Sequence, residues 1–115
     1  MLEPSTDTLE QIDFTNLNLP AHTYALRING NSMIEDSILD GDLVFLSPVL
    51  EPSLIKNGTI VAAKVEGHGT SLKQFYRQGD NITLKQANPQ YQSIEVSIVQ
   101  VEVQGSLVGI WRDYQ

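Results

Sequence analysis

Four short stretches of turn chemistry, Asp40-Gly41-Asp42, Asn57-Gly58, Gly67-His68-Gly69 and Gly79-Asp80-Asn81, recur at close intervals through the middle of the chain. Glycine and asparagine accept the left-handed backbone that a tight reversal needs, so each stretch ends one extended run and begins another. The apolar and β-branched runs between them predict short strands over 24–28, 43–46, 59–65, 70–76 and 81–86, and in pieces over 94–111. Spacing this tight leaves no room for crossover helices and predicts a mostly β domain of antiparallel strands.

Only 32–38 carries a helical signal. Ser32-Met33-Ile34-Glu35 has the form of a capping box, a hydroxyl followed three residues later by a carboxylate, and predicts one short helical turn after Ser32. The first twenty residues hold no sustained period and end at Leu19-Pro20. They predict an extended arm over 1–20, order beginning near Tyr24, and one folded domain over 21–115; a chain of 115 residues supports one core of ordinary size. No helix-turn-helix pattern is present to read DNA.

Composition narrows the functional classes. Seven Lys and Arg against fourteen Asp and Glu give a net charge of -7, and the cations Arg27, Lys56, Lys64, Lys73, Arg77, Lys85 and Arg112 are scattered, so a phosphate backbone would meet mostly repulsion. Cysteine is absent, which removes disulfide, thiol and thiolate-metal chemistry. No apolar run approaches the ~20 residues that span a bilayer, and the N-terminus lacks the basic start and apolar stretch of a secretory signal, so the expected location is the cytoplasm. His22 and His68 stand singly, without the paired spacing of a metal site, and neither a metal nor a cofactor is expected. A Ser-His-Asp hydrolase would have to recruit one of these two, and His68 lies between glycines where its ring would be poorly held.

Asn29-Gly30-Asn31-Ser32-Met33 places a hydroxyl where a strand passes into a first helical turn. Unpaired backbone N–H groups converge there and can stabilise an oxyanion, so Ser32 is a candidate nucleophile; the same groups would serve equally if Ser32 only capped the turn. In 70–76, period-two alternation puts Ser71, Lys73 and Phe75 on one face. A lysine amine of ordinary pKa, ~10.4, is almost wholly charged at neutral pH, so Lys73 could act as a base only if desolvated. On periodicity alone Lys64 and Lys85 are equally well placed, and a solvated strand lysine stays open for all three.

With these residues in view, the sequence resembles the self-cleaving LexA-type peptidase family, which includes UmuD and phage repressors, and is most similar to its cyanobacterial members. LRINGNSMIEDSILDGDLVFLSP resembles the family's nucleophile segment, NGTIVAAKVEGHGTSLKQFYRQGDNITLKQAN the hairpin with its catalytic lysine, and VQGSLVGIWRDY its C-terminal dimerisation strand. The likeness covers about 10–114. Ser32 and Lys73 are 41 residues apart, slightly more than the family pattern, Asn31 replaces an apolar or acidic residue, and no Ala-Gly dipeptide precedes Ser32.

The resemblance implies a LexA- and signal-peptidase-like β fold and a latent serine peptidase. Ser32 would be the nucleophile and Lys73 its general base, with Asn31 and Ser71 in supporting roles at the oxyanion and the amine. It implies a homodimer through the C-terminal strand, with Val108, Ile110 and Trp111 at the interface. It further implies cleavage of an Ala-Gly bond in a cleavage-loop peptide, stimulation by the RecA filament, and DNA contact only through an N-terminal domain absent from this sequence. A UmuD-like translesion polymerase accessory protein and a purely structural dimerisation module are the rival readings.

Overall fold

The computed structural model describes residues 2–4, 18–30, 33–49, 51–67 and 69–112. Among the described residues eight strands make one sheet: β1 Leu2–Pro4, β2 Tyr24–Ile28, β3 Leu43–Ser47, β4 Thr59–Val65, β5 Gly69–Gln78, β6 Asn81–Lys85, β7 Ile94–Ser97 and β8 Val101–Trp111. Every pairing is antiparallel, in the order β1-β2-β3-β8-β4-β5-β6-β7. Among the described residues the helical content is three isolated 3-10 turns, at Ile34–Asp36, Pro52–Leu54 and Ile98–Gln100, the first of which follows Ser32 in sequence. No helix among the described residues is long and apolar enough to cross a membrane.

The expected mostly β fold is the observed one, and the turns fall where the glycines are. Gly41 and Gly58 have φ of 89° and 90°, a region closed to most side chains, so both reversals depend on glycine. The structure adds a strand in the N-terminal arm: Leu2–Pro4 pairs with β2, Leu2 opposite Ile28. Three residues are too few for a period to be read.

Strand β8 lies between β3 and β4 because it is long enough, at 11 residues, to pair with both. Residues Ser106 to Trp111 pair with β3 and Val101 to Ser106 with β4. Two register shifts interrupt these ladders. Phe45 faces Gly109 while Leu46 faces Leu107, leaving Val108 extra; Ala62 faces Gly105 while Ala63 faces Val103, leaving Gln104 extra. Each bulge reverses the side on which alternate residues fall and bends the strand. Val101 and Val103 therefore join one apolar cluster, with Val61, Ala63, Val65, Phe75, Ile82 and Leu84, whereas Leu107 joins the cluster on the opposite face, with Ile28, Met33, Ile38, Val44, Leu46, Ala62, Leu72 and Ala87. A strand with unbroken alternation would have kept these three residues on one side.

Gly105 marks the closest approach in the sheet. A Cβ there would lie 2.7 Å from the Tyr24 hydroxyl and 3.0 Å from the Ser47 carbonyl oxygen. Tyr24 crosses β3 to donate its O–H to the Gln104 carbonyl at 2.9 Å, so the ring covers the glycine and the hydroxyl bonds the backbone at the bulge. Gly105→Ala is expected to destabilise the fold by about 1–3 kcal/mol through overpacking, read as a lower urea midpoint at unchanged m-value.

Candidate active site

Lys73 stands in the middle of β5, opposite Val61 of β4 and two residues from Phe75, which shares its face. Packed beside Val61 and Phe75, it is only 5% exposed. Its Nζ donates a hydrogen bond to the Ser71 hydroxyl, one pleat away on the same strand. Among the described residues no carboxylate is paired with it. Burial disfavours the ammonium, and the pKa of Lys73 is lowered from its ordinary 10.5 by that desolvation. Lys64 and Lys85 are exposed, and Lys85 lies over the Tyr76 ring with Nζ 4.9 Å from its centroid. Three lysines that the sequence left equivalent are thus separated by their surroundings.

Ser32 and Asn31 lie outside the described residues. The chain on either side of them is held firmly. Before them, Gly30 adopts φ 117° and its N–H donates to Asp40 Oδ1 at 2.8 Å. After them, Met33 is buried in the cluster that contains Leu72, the residue next to Lys73. Its sulfur accepts from the Ala87 N–H at 3.4 Å, and the Glu35 N–H donates to the Ala87 carbonyl at 2.7 Å. Asp36 accepts from Gln74 Nε2 at 2.8 Å. Gln74, which follows Lys73 on β5, therefore anchors the turn that follows Ser32, and Leu72, which precedes Lys73, shares the apolar cluster of Met33.

The Asp-Gly-Asp stretch does more than reverse the chain. Asp42 is 1% exposed, yet both its carboxylate oxygens are held by Arg112 at 2.7 Å, through Nε and Nη2. Burial would raise its pKa, but the Arg112 hydrogen bonds, the Leu39 N–H and the guanidinium charge outweigh it and hold the carboxyl below its ordinary value. Sequence reading found the turn and missed the pair, because Asp42 and Arg112 are 70 residues apart. Gln74, Asp36 and Ala87 were likewise passed over, being polar or small residues of no distinctive spacing.

Of the residues expected at a dimer seam, Val108 and Ile110 are 39% and 40% exposed. Ile110 faces Val44 and Trp111 faces Leu43, so these two point to opposite faces of the sheet, and Trp111 is half-buried. Among the described residues β4 pairs with β8 only as far as Ser106, so the part of β8 beyond it has β3 on one edge alone. His22 is exposed, His68 lies outside the described residues, and among those described no group of three metal-ligating side chains occurs. A surface hollow of about 390 Å³ over β6 and β7, bordered by residues such as Gln78, Thr83 and Glu95, includes neither Lys73 nor Ser71.

The buried amine beside a hydroxyl can accept a proton at a pH where an exposed lysine cannot. Comparison with known proteins agrees with a hydrolytic site: the family described as Peptidase S24-like matches residues 3–108. The chain is similar to the transcription regulator LexA of Synechocystis sp., 33% identical over 115 residues, which are all of this chain and 57% of that protein. It is similar to the LexA repressor of a Ruegeria species, 47% identical over 91 residues, 79% of this chain and 36% of the relative. A third, the LexA repressor of Syntrophobacter fumaroxidans, is 40% identical over 94 residues, 82% of this chain and 44% of its own. The chain spans about half the length of these relatives, or less.

The lowered pKa of Lys73 has a consequence for stability. Between its folded and unfolded pKa values the unfolded chain holds a proton that the native state has given up, so stability rises with pH through that window, towards 10.5. Below the folded value the native state must bury the charge. Lys73→Met is expected to remove this rise, seen as a flatter dependence of the urea midpoint on pH from neutrality upwards.

Proposed function

The chain belongs to the Peptidase S24-like family, and from that premise we propose that it is the peptidase and dimerisation portion of a LexA-type repressor, cutting an Ala-Gly bond with Ser32 as nucleophile and Lys73 as general base. The observation that carries this reading is the environment of Lys73: a lysine buried against apolar strands with a hydroxyl as its partner. A lysine kept for structure alone would gain more from a carboxylate or from solvent.

In the proposed reaction, neutral Lys73 takes the proton from Ser32 Oγ as that oxygen attacks the alanyl carbonyl carbon. The resulting lysine ammonium then gives its proton to the glycyl nitrogen as the peptide bond breaks, leaving an acyl-serine and a neutral amine. Lys73 next deprotonates a water that attacks the ester, and returns the proton to Ser32 Oγ. Ser71 aims the amine by accepting one of its N–H groups. The N–H groups of Ser32 and Asn31 are the proposed oxyanion donors. Docking of the cleavage-loop peptide over the amine excludes more water and favours its neutral form, so substrate binding and activation coincide.

On this reading residues 1–20 are the arm that follows the cleaved bond and 21–115 the catalytic and dimerisation unit. The relatives' names, regulator and repressor, support a parent protein that binds DNA through a separate N-terminal domain, with the RecA filament as the stimulus for cleavage in the cytoplasm. Cleavage would part the DNA-binding domain from its dimeriser and remove the avidity of a two-half-site contact. The dimer would form along β8 beyond Ser106, where one strand edge is unpaired by β4 and Val108 and Ile110 are exposed.

The chain is expected to cleave, in trans, a LexA-type polypeptide that carries Ala-Gly and lacks its own serine, faster as pH rises towards 10. Ser32→Ala or Lys73→Ala should each abolish cleavage, and Ser71→Ala should slow it by roughly 10- to 100-fold. Cleavage that survives either of the first two substitutions would sink the dyad. Ile110→Asp should convert a dimer to monomer in sedimentation, and an unchanged association constant would remove the β8 seam.

A further inference from the structure

We propose that the Arg112–Asp42 pair is a positioning clamp for the loop that carries Ser32, fastening that loop to the C-terminal end of β8. The role rests on the Ser32–Lys73 reading above. The loop leaves β2 at Ile28 and re-enters the sheet at Leu43. Its stem is closed by backbone bonds, Ile28 N–H to Asp42 O at 2.8 Å and Gly41 N–H to Ile28 O at 2.9 Å, and by the Gly30 N–H on Asp40. A stem alone does not fix what lies between its ends.

The return limb is fixed by one guanidinium. Arg112 Nη2 donates to the Ser37 carbonyl at 2.8 Å as well as to Asp42 Oδ2, and that same carboxylate oxygen accepts the Leu39 N–H at 2.8 Å. Ser37 sits at φ 61°, a left-handed conformation that a residue with a side chain keeps only when its surroundings impose it. The clamp therefore grips the limb at the point where its backbone is least favourable, five residues after Ser32. Nearer Ser32 on the same limb, Glu35 and Asp36 are held by Ala87 and Gln74. The loop is thus fastened both to the hairpin that bears Lys73 and to the strand that bears the proposed dimer seam, with Arg112 directly following Trp111.

The grip depends on the fork of arginine. Two parallel N–H groups meet two carboxylate oxygens while a second proton of Nη2 reaches Ser37, and a lysine ammonium on its flexible stem does not reproduce that geometry. The buried carboxylate and the strained Ser37 then have separate needs met by a single side chain.

The test is Arg112→Lys, which retains the charge, beside the double variant Asp42→Asn with Arg112→Gln, which removes both charges together and leaves neither buried alone. Two readouts are needed: steady-state cleavage of the Ala-Gly polypeptide in trans, and amide hydrogen exchange. Both variants are expected to lose at least tenfold in kcat with KM within twofold. Exchange at Leu39, Ile38 and Asp36 should quicken at least tenfold while Val44 and Leu46 in β3 keep wild-type protection. A wild-type kcat in Arg112→Lys, or a loss matched by equal deprotection of Val44 and Leu46, would overturn the clamp alone. A wild-type chain that cleaves nothing would overturn the dyad and this role with it.

Discussion

Strand β8 hydrogen-bonds β3 along one half of its length and β4 along the other, and among the described residues this is the only sheet connection between β1-β2-β3 and β4-β5-β6-β7. The two halves carry different duties. One presents the loop that contains Ser32; the other presents Lys73. A strand that must serve both neighbours, and offer apolar residues to a different cluster on each face, cannot alternate evenly, and the bulges at Gln104 and Val108 reconcile these demands. Gly105 belongs to the same solution, since only a residue without a side chain lets Tyr24 reach the bulged backbone.

Within that frame the electrostatics divide in two. Asp42 is buried with its charge intact because a bidentate guanidinium and a backbone N–H replace the water it lost. Lys73 is buried with the neutral Ser71 hydroxyl as its partner, and desolvation lowers its pKa. The first arrangement keeps a charge in the interior; the second disfavours one.

The loop between β2 and β3 also explains why the proposed nucleophile segment needs so many ties. A single 3-10 turn has too few internal hydrogen bonds to hold its own shape. Met33, Glu35 and Asp36 borrow partners from Ala87 and Gln74, and Ser37 and Leu39 borrow theirs from the Arg112–Asp42 pair.

Much of this was legible in the chain. The reversals at Gly41, Gly58 and Gly79 set the strand lengths, because φ near +60° to +90° is a local property that glycine permits. Strands β2 and β4 could be bounded to the residue, and the Ser32, Lys73 and Asp-Gly-Asp segments together pointed to the family. The arm strand at Leu2–Pro4 was too short to carry a period, and the insertion of β8 between β3 and β4 joins residues that sequence spacing cannot connect. Whether Lys73, Lys64 or Lys85 is the desolvated amine was open for the same reason: alternation assigns a face, and only the packing of Val61, Phe75 and their neighbours decides which face is dry. Local chemistry thus determined where the chain turns and which side chains could react, whereas burial and the Asp42–Arg112 pairing, both sums over distant residues, were decided by the tertiary structure alone.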